Sequence, residues 1–517
     1  MIDRRPLKLS EADHALIEAH ELSPDEIERQ RALLAGRATY RDLDRPATLG
    51  DGIRQLSEAE KEACSAEFDR AAMSGRYLSF VPASGAASRM FKSFLAALSS
   101  GRALSRSSLH ASNYEEDHDL LTMFEQIDHL AIREALRQAC KTEAPPLAEQ
   151  LAQGDYTQLA RILLEPTGLN LPAEPKGLLP FHLYASGART AFEEHLREAA
   201  ELLPDKSGLA RCHFTVSPQH QQRFSETLDL RRAAVEASSQ SRLDVSFSTQ
   251  SMATDTIALD ENGELFRQRD GSLLFRPGGH GSLIRNLDQL PADFVFIKNI
   301  DNIVPEDRRA QILAWRRILG GLLAQLERDT GLWIDRLKAA PEDADLRAQA
   351  AQFIRNDLGI QSDAREEVLL AEVRARPMRV CGVVANTGDP GGGPFWVRGD
   401  DHRLSLQIVE TAEIDPDEVS QTRHLDAATH FNPTDMVCSL RKSDGEAFRL
   451  ADFVDHNAVF VAQKSSEGRD LRALEHPGLW NGSMARWTTV FVEVPRETFQ
   501  PVKSLLDLLG QGHAPLP

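Results

Sequence analysis

Two hydrophobic patterns alternate along this chain. Short, nearly continuous apolar runs at 77–81, 212–216, 244–248, 379–385 and from Phe294 toward Asp301 have the length and β-rich character of buried strands. Between them, apolar residues recur at helical spacing, as in Leu120, Leu121, Phe124, Ile127, Leu130 and Leu136. Ser10 and Ser23 each precede an acidic first turn, which predicts two helix starts near the amino terminus. Buried strands alternating with helices predict an α/β protein whose mostly parallel central sheet is covered by helices on both faces.

The pattern divides the chain into four parts. Residues 1–76 read as a helical amino-terminal region, and 77–304 as a core interrupted by a helical insertion at 93–165. Residues 305–375 read as a helical segment, and 376–517 as a carboxyl-terminal α/β portion. The chain has 517 residues, more than one hydrophobic core usually supports.

Two places carry candidate chemistry. The first strand runs into Ala83-Ser84-Gly85-Ala86-Ala87-Ser88-Arg89, a loop of small residues followed by a helix pattern. Backbone amides in such a loop, the positive end of the helix, and Arg89 with Lys92 suit an anion. Tight strand–helix packing uses the same residues, and Arg89 also suits a surface ion pair. The second place joins the turn Gly278-Gly279-His280-Gly281 to a strand ending in Asn299-Ile300-Asp301-Asn302. Glycines let backbone approach a flat or charged ligand, and a carboxylate at a strand's end can hold a divalent metal against phosphates. Asn-x-Asp-Asn equally suits a hydrogen-bonded turn, and His280 a loop carbonyl.

Other signatures are missing. No Gly-Lys pair occurs for a Walker A loop, the small residues lack G-x-G-x-x-G spacing, and Pro82 excludes a G-x-S-x-G elbow at Ser84. The five cysteines show no C-x-x-C pairing and read as reduced thiols. A formal net charge of −19 argues against nucleic acid as a partner. No apolar run reaches membrane-spanning length, and the charged first residues lack the core of a signal peptide, so the expectation is a cytoplasmic protein without a membrane partner. Oligomeric state is left open.

The loop at 83–89, Pro175-Lys176, Gly279-His280-Gly281 and Asn299-x-Asp301-Asn302 occur in the order seen in uridine-diphosphate-sugar pyrophosphorylases. Over nearly its whole length the chain resembles a bacterial family, domain of unknown function 4301, that is itself similar to that superfamily. The resemblance implies a GT-A-like, Rossmann-related sheet, a nucleoside triphosphate and a small phosphorylated acceptor as partners, and Mg²⁺ as cofactor. It assigns Ala83, Ser84, Gly85, Ala86 and Ser88 to the nucleotide's phosphates, with Gly85 the lone glycine where the family usually has two. It assigns Gln250, Gly279, His280 and Gly281 to the nucleoside, Asp301 to the metal, and Arg89, Lys176 and Lys464 to catalysis through phosphate contact. Asn386, Glu410 and Asn432 would bind the acceptor, which the carboxyl-terminal portion completes.

The activity this implies is nucleotidyl transfer to a phosphorylated acceptor, a sugar 1-phosphate by resemblance, with release of pyrophosphate. Two alternatives stand beside it. One is nucleotidyl activation of a non-sugar acceptor; the other is a regulatory protein that binds a nucleotide or sugar nucleotide without turnover. Trp480 and Trp487 read as core anchors.

Overall fold

The computed structural model describes residues 7–36, 40–143, 145–388, 391–399, 401–432 and 435–514. Asp389 and Pro390, within the glycine-rich loop that follows the 379–385 run, lie outside them. The chain is mixed α/β with a largely parallel central sheet, and it divides into two compact units, each assembled from separate stretches of sequence.

One unit comprises Met1–Ala71, Ser248–Ile297 and Arg317–Val494. Its main sheet runs in the order Thr48–Leu49, Gly52–Arg54, Thr488–Glu493, Met378–Ala385, Asp435–Ser439, Phe294–Lys298. The first three pairings are parallel, whereas Asp435–Ser439 is antiparallel to Met378–Ala385. Met378–Ala385 is buried over nearly its whole length, as its unbroken apolar run requires. A smaller sheet orders Phe275–Pro277, Asp255–Leu259, Arg469–Glu475 and Phe460–Ser466.

The two helices expected from Ser10 and Ser23 are Glu11–Ala19 and Pro24–Ala35, with both serines capping. They cover this smaller sheet. Ile17, Ile27 and Leu34 pack with Ile257, Leu259, Leu273 and Leu474 in one buried cluster. Between the helices and the next long helix, Leu43–Pro46, Thr48–Leu49 and Gly52–Arg54 form strands that hydrophobic periodicity did not reveal. Runs this short contain too few alternations to show a period.

The other unit comprises Ala72–Phe247, Lys298–Arg316 and Pro495–Pro517. Strand Tyr77–Pro82 lies parallel to Leu209–Thr215, which neighbours Arg242–Ser248. The predicted insertion is helical, running from Lys92–Ser99 through Thr157–Leu164. Helix Ala191–Leu202 is buried on nearly all sides although it carries Glu193, Glu194, His195, Arg197 and Glu198.

Burial of so many charges demands partners. Glu198 pairs with Lys298 at 2.9 Å and with Arg316, all nearly inaccessible to water. Burial pushes the Glu198 carboxyl up, but Lys298 and Arg316 outweigh it and hold the group below the usual range. Arg309 donates to Glu194 at 2.7 Å and also pairs with Glu201. His195 Nε2 lies 3.2 Å from the Ile300 carbonyl, so this neutral ring donates there and braces the residue before Asp301.

Burial lowers the His195 pKa to about 4. An unfolded imidazole takes up its proton near ~6.5, so between those values the unfolded chain binds more protons and stability rises with pH. Acidification through this window should therefore destabilise the protein by up to about 1.4 kcal/mol per pH unit for such a group. Denaturant unfolding at a series of pH values should show a shallower slope in His195→Gln; an unchanged slope would refute the assignment.

Candidate phosphate and nucleoside sites

The predicted residues separate into two groups, one in each unit. Ala83, Ser84, Gly85, Ala86, Ser88, Arg89, Lys176 and Asp301 lie in the unit built around Tyr77–Pro82. Gln250, Gly279, His280, Gly281, Asn386, Glu410, Asn432 and Lys464 lie in the other.

In the first group the loop after Tyr77–Pro82 is held by its own backbone. Ala83 N–H donates to the Thr215 carbonyl at 2.8 Å, and Ala87 N–H to Glu174 at 2.9 Å. Those two amides are therefore occupied by the fold and cannot serve an anion, contrary to a cradle in which every loop amide faces the ligand. The exposed tip Ser84-Gly85-Ala86 has no backbone acceptor for its N–H groups among the described residues. At Gly85 an added Cβ would meet nothing within 4 Å, so the fold itself leaves open space beside this backbone. Ser88, Arg89 and Lys92 are exposed along the following turn and helix start.

The long insertion returns the chain to this loop. Ala86 and Pro175 form an antiparallel bridge, and Lys176 N–H donates to the Gly85 carbonyl at 3.1 Å. That backbone contact sets Lys176 beside the tip. Its Nζ lies 2.9 Å from Asp301 Oδ2, with both side chains only 13% exposed. Burial pushes the Asp301 carboxyl up, but Lys176 and Lys503 more than compensate and hold it below the usual carboxylate range.

Lys503, absent from the residues expected from sequence, lies 3.5 Å from the same Asp301 oxygen. It arrives because the carboxyl-terminal segment pairs with the Asp301 turn. Val502 N–H donates to the Asp301 carbonyl at 3.0 Å, and Asn302 bridges Pro501. Nothing near position 503 marks it as functional in the sequence; only the turn's need for backbone partners brings it in. Among the described residues, no three His, Cys, Asp or Glu side chains converge as a metal cluster.

In the second group the glycine turn leaves strand Phe275–Pro277 and is clamped by the segment after Arg469–Glu475. His476 N–H donates to the Gly278 carbonyl at 2.8 Å, and His476 Nε2 to Thr254 at 2.9 Å. Gly281 passes so close to this segment that a Cβ would lie 2.1 Å from the Pro477 carbonyl oxygen. Gly279 has φ +79°, in the left-handed region that favours glycine. Gln250 donates to Thr254 Oγ1 at 3.2 Å, which places it at the same clamp.

Trp480 is the organising residue here, and it is only partly buried. The expected core anchor instead stacks on His280, ring centroids 4.4 Å apart and planes 25° apart. Burial lowers the His280 pKa to about 4, so the ring is neutral at physiological pH. Burial raises the Glu410 pKa, and the neighbouring Trp480 side chain opposes that rise. Lys464 is on strand Phe460–Ser466 and lies 3.6 Å from Glu475, whose carboxylate borders Gly279. Trp487, by contrast, is 3% exposed and is a core residue as expected.

The acceptor candidates meet through another glycine stretch. Asn432 N–H donates to the Gly392 carbonyl at 3.3 Å, and a Cβ on Gly392 would lie 3.2 Å from Glu410 Cγ. Asn386 follows strand Met378–Ala385, where His430 and Phe431 pair, and its N–H donates to Thr429 at 3.0 Å. Glu413 accepts the Glu410 N–H at 2.9 Å and fixes its backbone. Asn386, Glu410 and Asn432 thus share one neighbourhood.

Among the described residues no helix is long and apolar enough to cross a membrane. No curated protein matches the chain. Among solved structures, it is similar to a variant of the UDP-glucose pyrophosphorylase of Leishmania major in complex with UDP-glucose, with 12% identity, 97% of this chain and 79% of that one covered, and a TM-score of 0.45. It is similar also to the uridine diphosphate N-acetylglucosamine pyrophosphorylase of Trypanosoma brucei in complex with inhibitor, with 14% identity, coverage of 98% and 85%, and a TM-score of 0.47. A third is a UDP-N-acetylglucosamine pyrophosphorylase, so described for Entamoeba histolytica, with 10% identity, coverage of 90% and 82%, and a TM-score of 0.42. At the level of sequence, residues 10–514 match one family throughout, and the chain belongs to it: the domain of unknown function DUF4301.

Proposed function

We propose that this protein is a nucleotidyltransferase that joins a nucleoside triphosphate to a small phosphorylated acceptor, a sugar 1-phosphate, and releases pyrophosphate. The observation that carries the reading is the Lys176–Asp301 pair held beside the open tip Ser84-Gly85-Ala86. The order of motifs in the sequence points the same way.

Such a transfer brings two anions together, so the protein's task is to hold and neutralise them. The acceptor phosphate is already ionised at neutral pH and needs no general base. Positioning and charge stabilisation then supply the catalysis. Free amides at the tip, with Arg89 and Lys176, bind the phosphates. By the same motif order, the Gly279–Gly281 backbone, clamped by His476, takes the nucleoside, with Gln250 alongside. Glu410, Asn386 and Asn432 take the acceptor's polar groups, and Lys464 its charge.

Asp301 fits a Mg²⁺ ion of the kind held by one carboxylate, water and substrate phosphates rather than by a protein cage. Bound there, Mg²⁺ would neutralise phosphate charge. Lys176 and Lys503, which contact the carboxylate, would then turn toward phosphate oxygens. Isothermal titration with each nucleoside triphosphate should show binding that strengthens at least about tenfold with Mg²⁺ for the preferred base. Absence of metal-dependent binding for all of them would overturn the reading.

A further inference from the structure

Two ammonium groups converge on a single oxygen of Asp301. Lys176 Nζ lies 2.9 Å and Lys503 Nζ 3.5 Å from Oδ2, and one carboxylate balances only one of them. The two lysines therefore outnumber the carboxylate their side chains share, within a chain of net charge −19. The two lysines are not equivalent. Lys176 is 13% exposed and is fixed through its backbone to Gly85, whereas Lys503 is 66% exposed. An exposed ion pair at this distance adds little to stability.

The backbone beneath Lys503 is nevertheless firmly placed. Val502 and Asn302 tie it to the Asp301 turn, and Gln500 N–H donates to Asn302 Oδ1 at 3.0 Å. Just beyond, the N–H groups of Lys503 and Ser504 both donate to Asp507 Oδ2, at 2.6 and 2.7 Å. Farther along, His513 lies 3.0 Å from His182 through Nδ1 and 3.1 Å from the Gln500 carbonyl through Nε2. A flexible side chain on a fixed backbone, presented to a carboxylate already paired, is suited to exchange that carboxylate for a ligand's anion.

We propose that Lys503 is an anion-binding residue of this site, contacting a phosphate group of the nucleotide or of released pyrophosphate. The proposal rests on the phosphate role given above to Asp301 and Lys176. It makes the carboxyl-terminal segment Pro495–Ala514 part of the binding site, and its backbone pairing to Asn302 the means of placing the charge.

The test is titration of the full-length protein with inorganic pyrophosphate and Mg²⁺, for wild type, Lys503→Met, Lys503→Arg and Lys176→Met, with unfolding midpoints measured in parallel. Lys503→Met should weaken pyrophosphate binding about tenfold or more without shifting the midpoint, and Lys503→Arg should restore most of it. Wild-type affinity in Lys503→Met, with loss in Lys176→Met, would overturn the role of Lys503 while leaving the site's reading intact. A midpoint that falls in Lys503→Met while affinity holds would make the residue structural. No pyrophosphate binding by the wild-type protein would overturn both the proposal and the reading beneath it.

Discussion

Asp301→Asn is expected to lower pyrophosphate release by about 10²–10³-fold, the scale on which one preorganised electrostatic group acts in a transition state. The substitution keeps the shape of the side chain and removes its charge. Lys176 and Lys503 then lose their shared counter-ion. Two consequences distinguish a metal-binding role from an ion-pair role. Nucleotide binding should lose its dependence on Mg²⁺, because the carboxylate proposed to hold the ion is gone. Binding of metal-free pyrophosphate should strengthen, because two ammonium groups are released toward it. If Asp301 only anchors the lysines, metal dependence will survive the substitution. Titrations of wild type and Asp301→Asn with pyrophosphate, with and without Mg²⁺, read both effects directly.

Glu198→Ala should have the largest effect on stability, a loss of about 3–5 kcal/mol in denaturant unfolding. The carboxylate is the shared partner of Lys298 and Arg316, and none of the three reaches solvent to a useful extent. Removing it leaves two buried cations facing each other. The triple replacement Glu198→Leu, Lys298→Met and Arg316→Met should cost less than the single one, since no uncompensated charge then remains buried. A single substitution that costs under about 1 kcal/mol would show that the helix relaxes to hydrate these groups. The pH dependence has a matching sign. The folded-state pKa of Glu198 is depressed, so its contribution is present above the ordinary carboxylate range and is lost on acidification, in the same direction as the loss from His195.

Much of the fold could be read from local pattern. The Tyr77–Pro82 strand, the small-residue loop after it, the Ser10 and Ser23 caps and the helical insertion all follow from residues close together in sequence. What escaped was set by distant contacts. Helix Ala191–Leu202 carries charges that suit a solvated face, and only the arrival of Lys298, Arg309 and Arg316 permits its burial. Lys503 is one exposed lysine among many until Asn302 bridges Pro501. Trp480 has the size of a core residue, and only its stacking on His280 gives it a place beside the glycine turn.

The same distinction applies within the candidate loop. Its small residues announced close approach, but not by what. Backbone from Glu174 and Thr215 accounts for two of the amides, and among the described residues the tip at Ser84-Gly85-Ala86 is the part without a backbone acceptor. Motif order alone singled out Lys176. Its position beside that tip depends on the Ala86–Pro175 bridge across the insertion, which no local pattern encodes.

The central claim is nucleotidyl transfer, and the most direct measurement is pyrophosphate released by the purified full-length protein across a panel of nucleoside triphosphates and sugar 1-phosphates with Mg²⁺. The account predicts release for at least one pairing, dependent on both substrates and falling about 10²–10³-fold in Asp301→Asn. No release from any pairing, by protein that binds nucleotide with Mg²⁺, would contradict it and favour a binding protein without turnover.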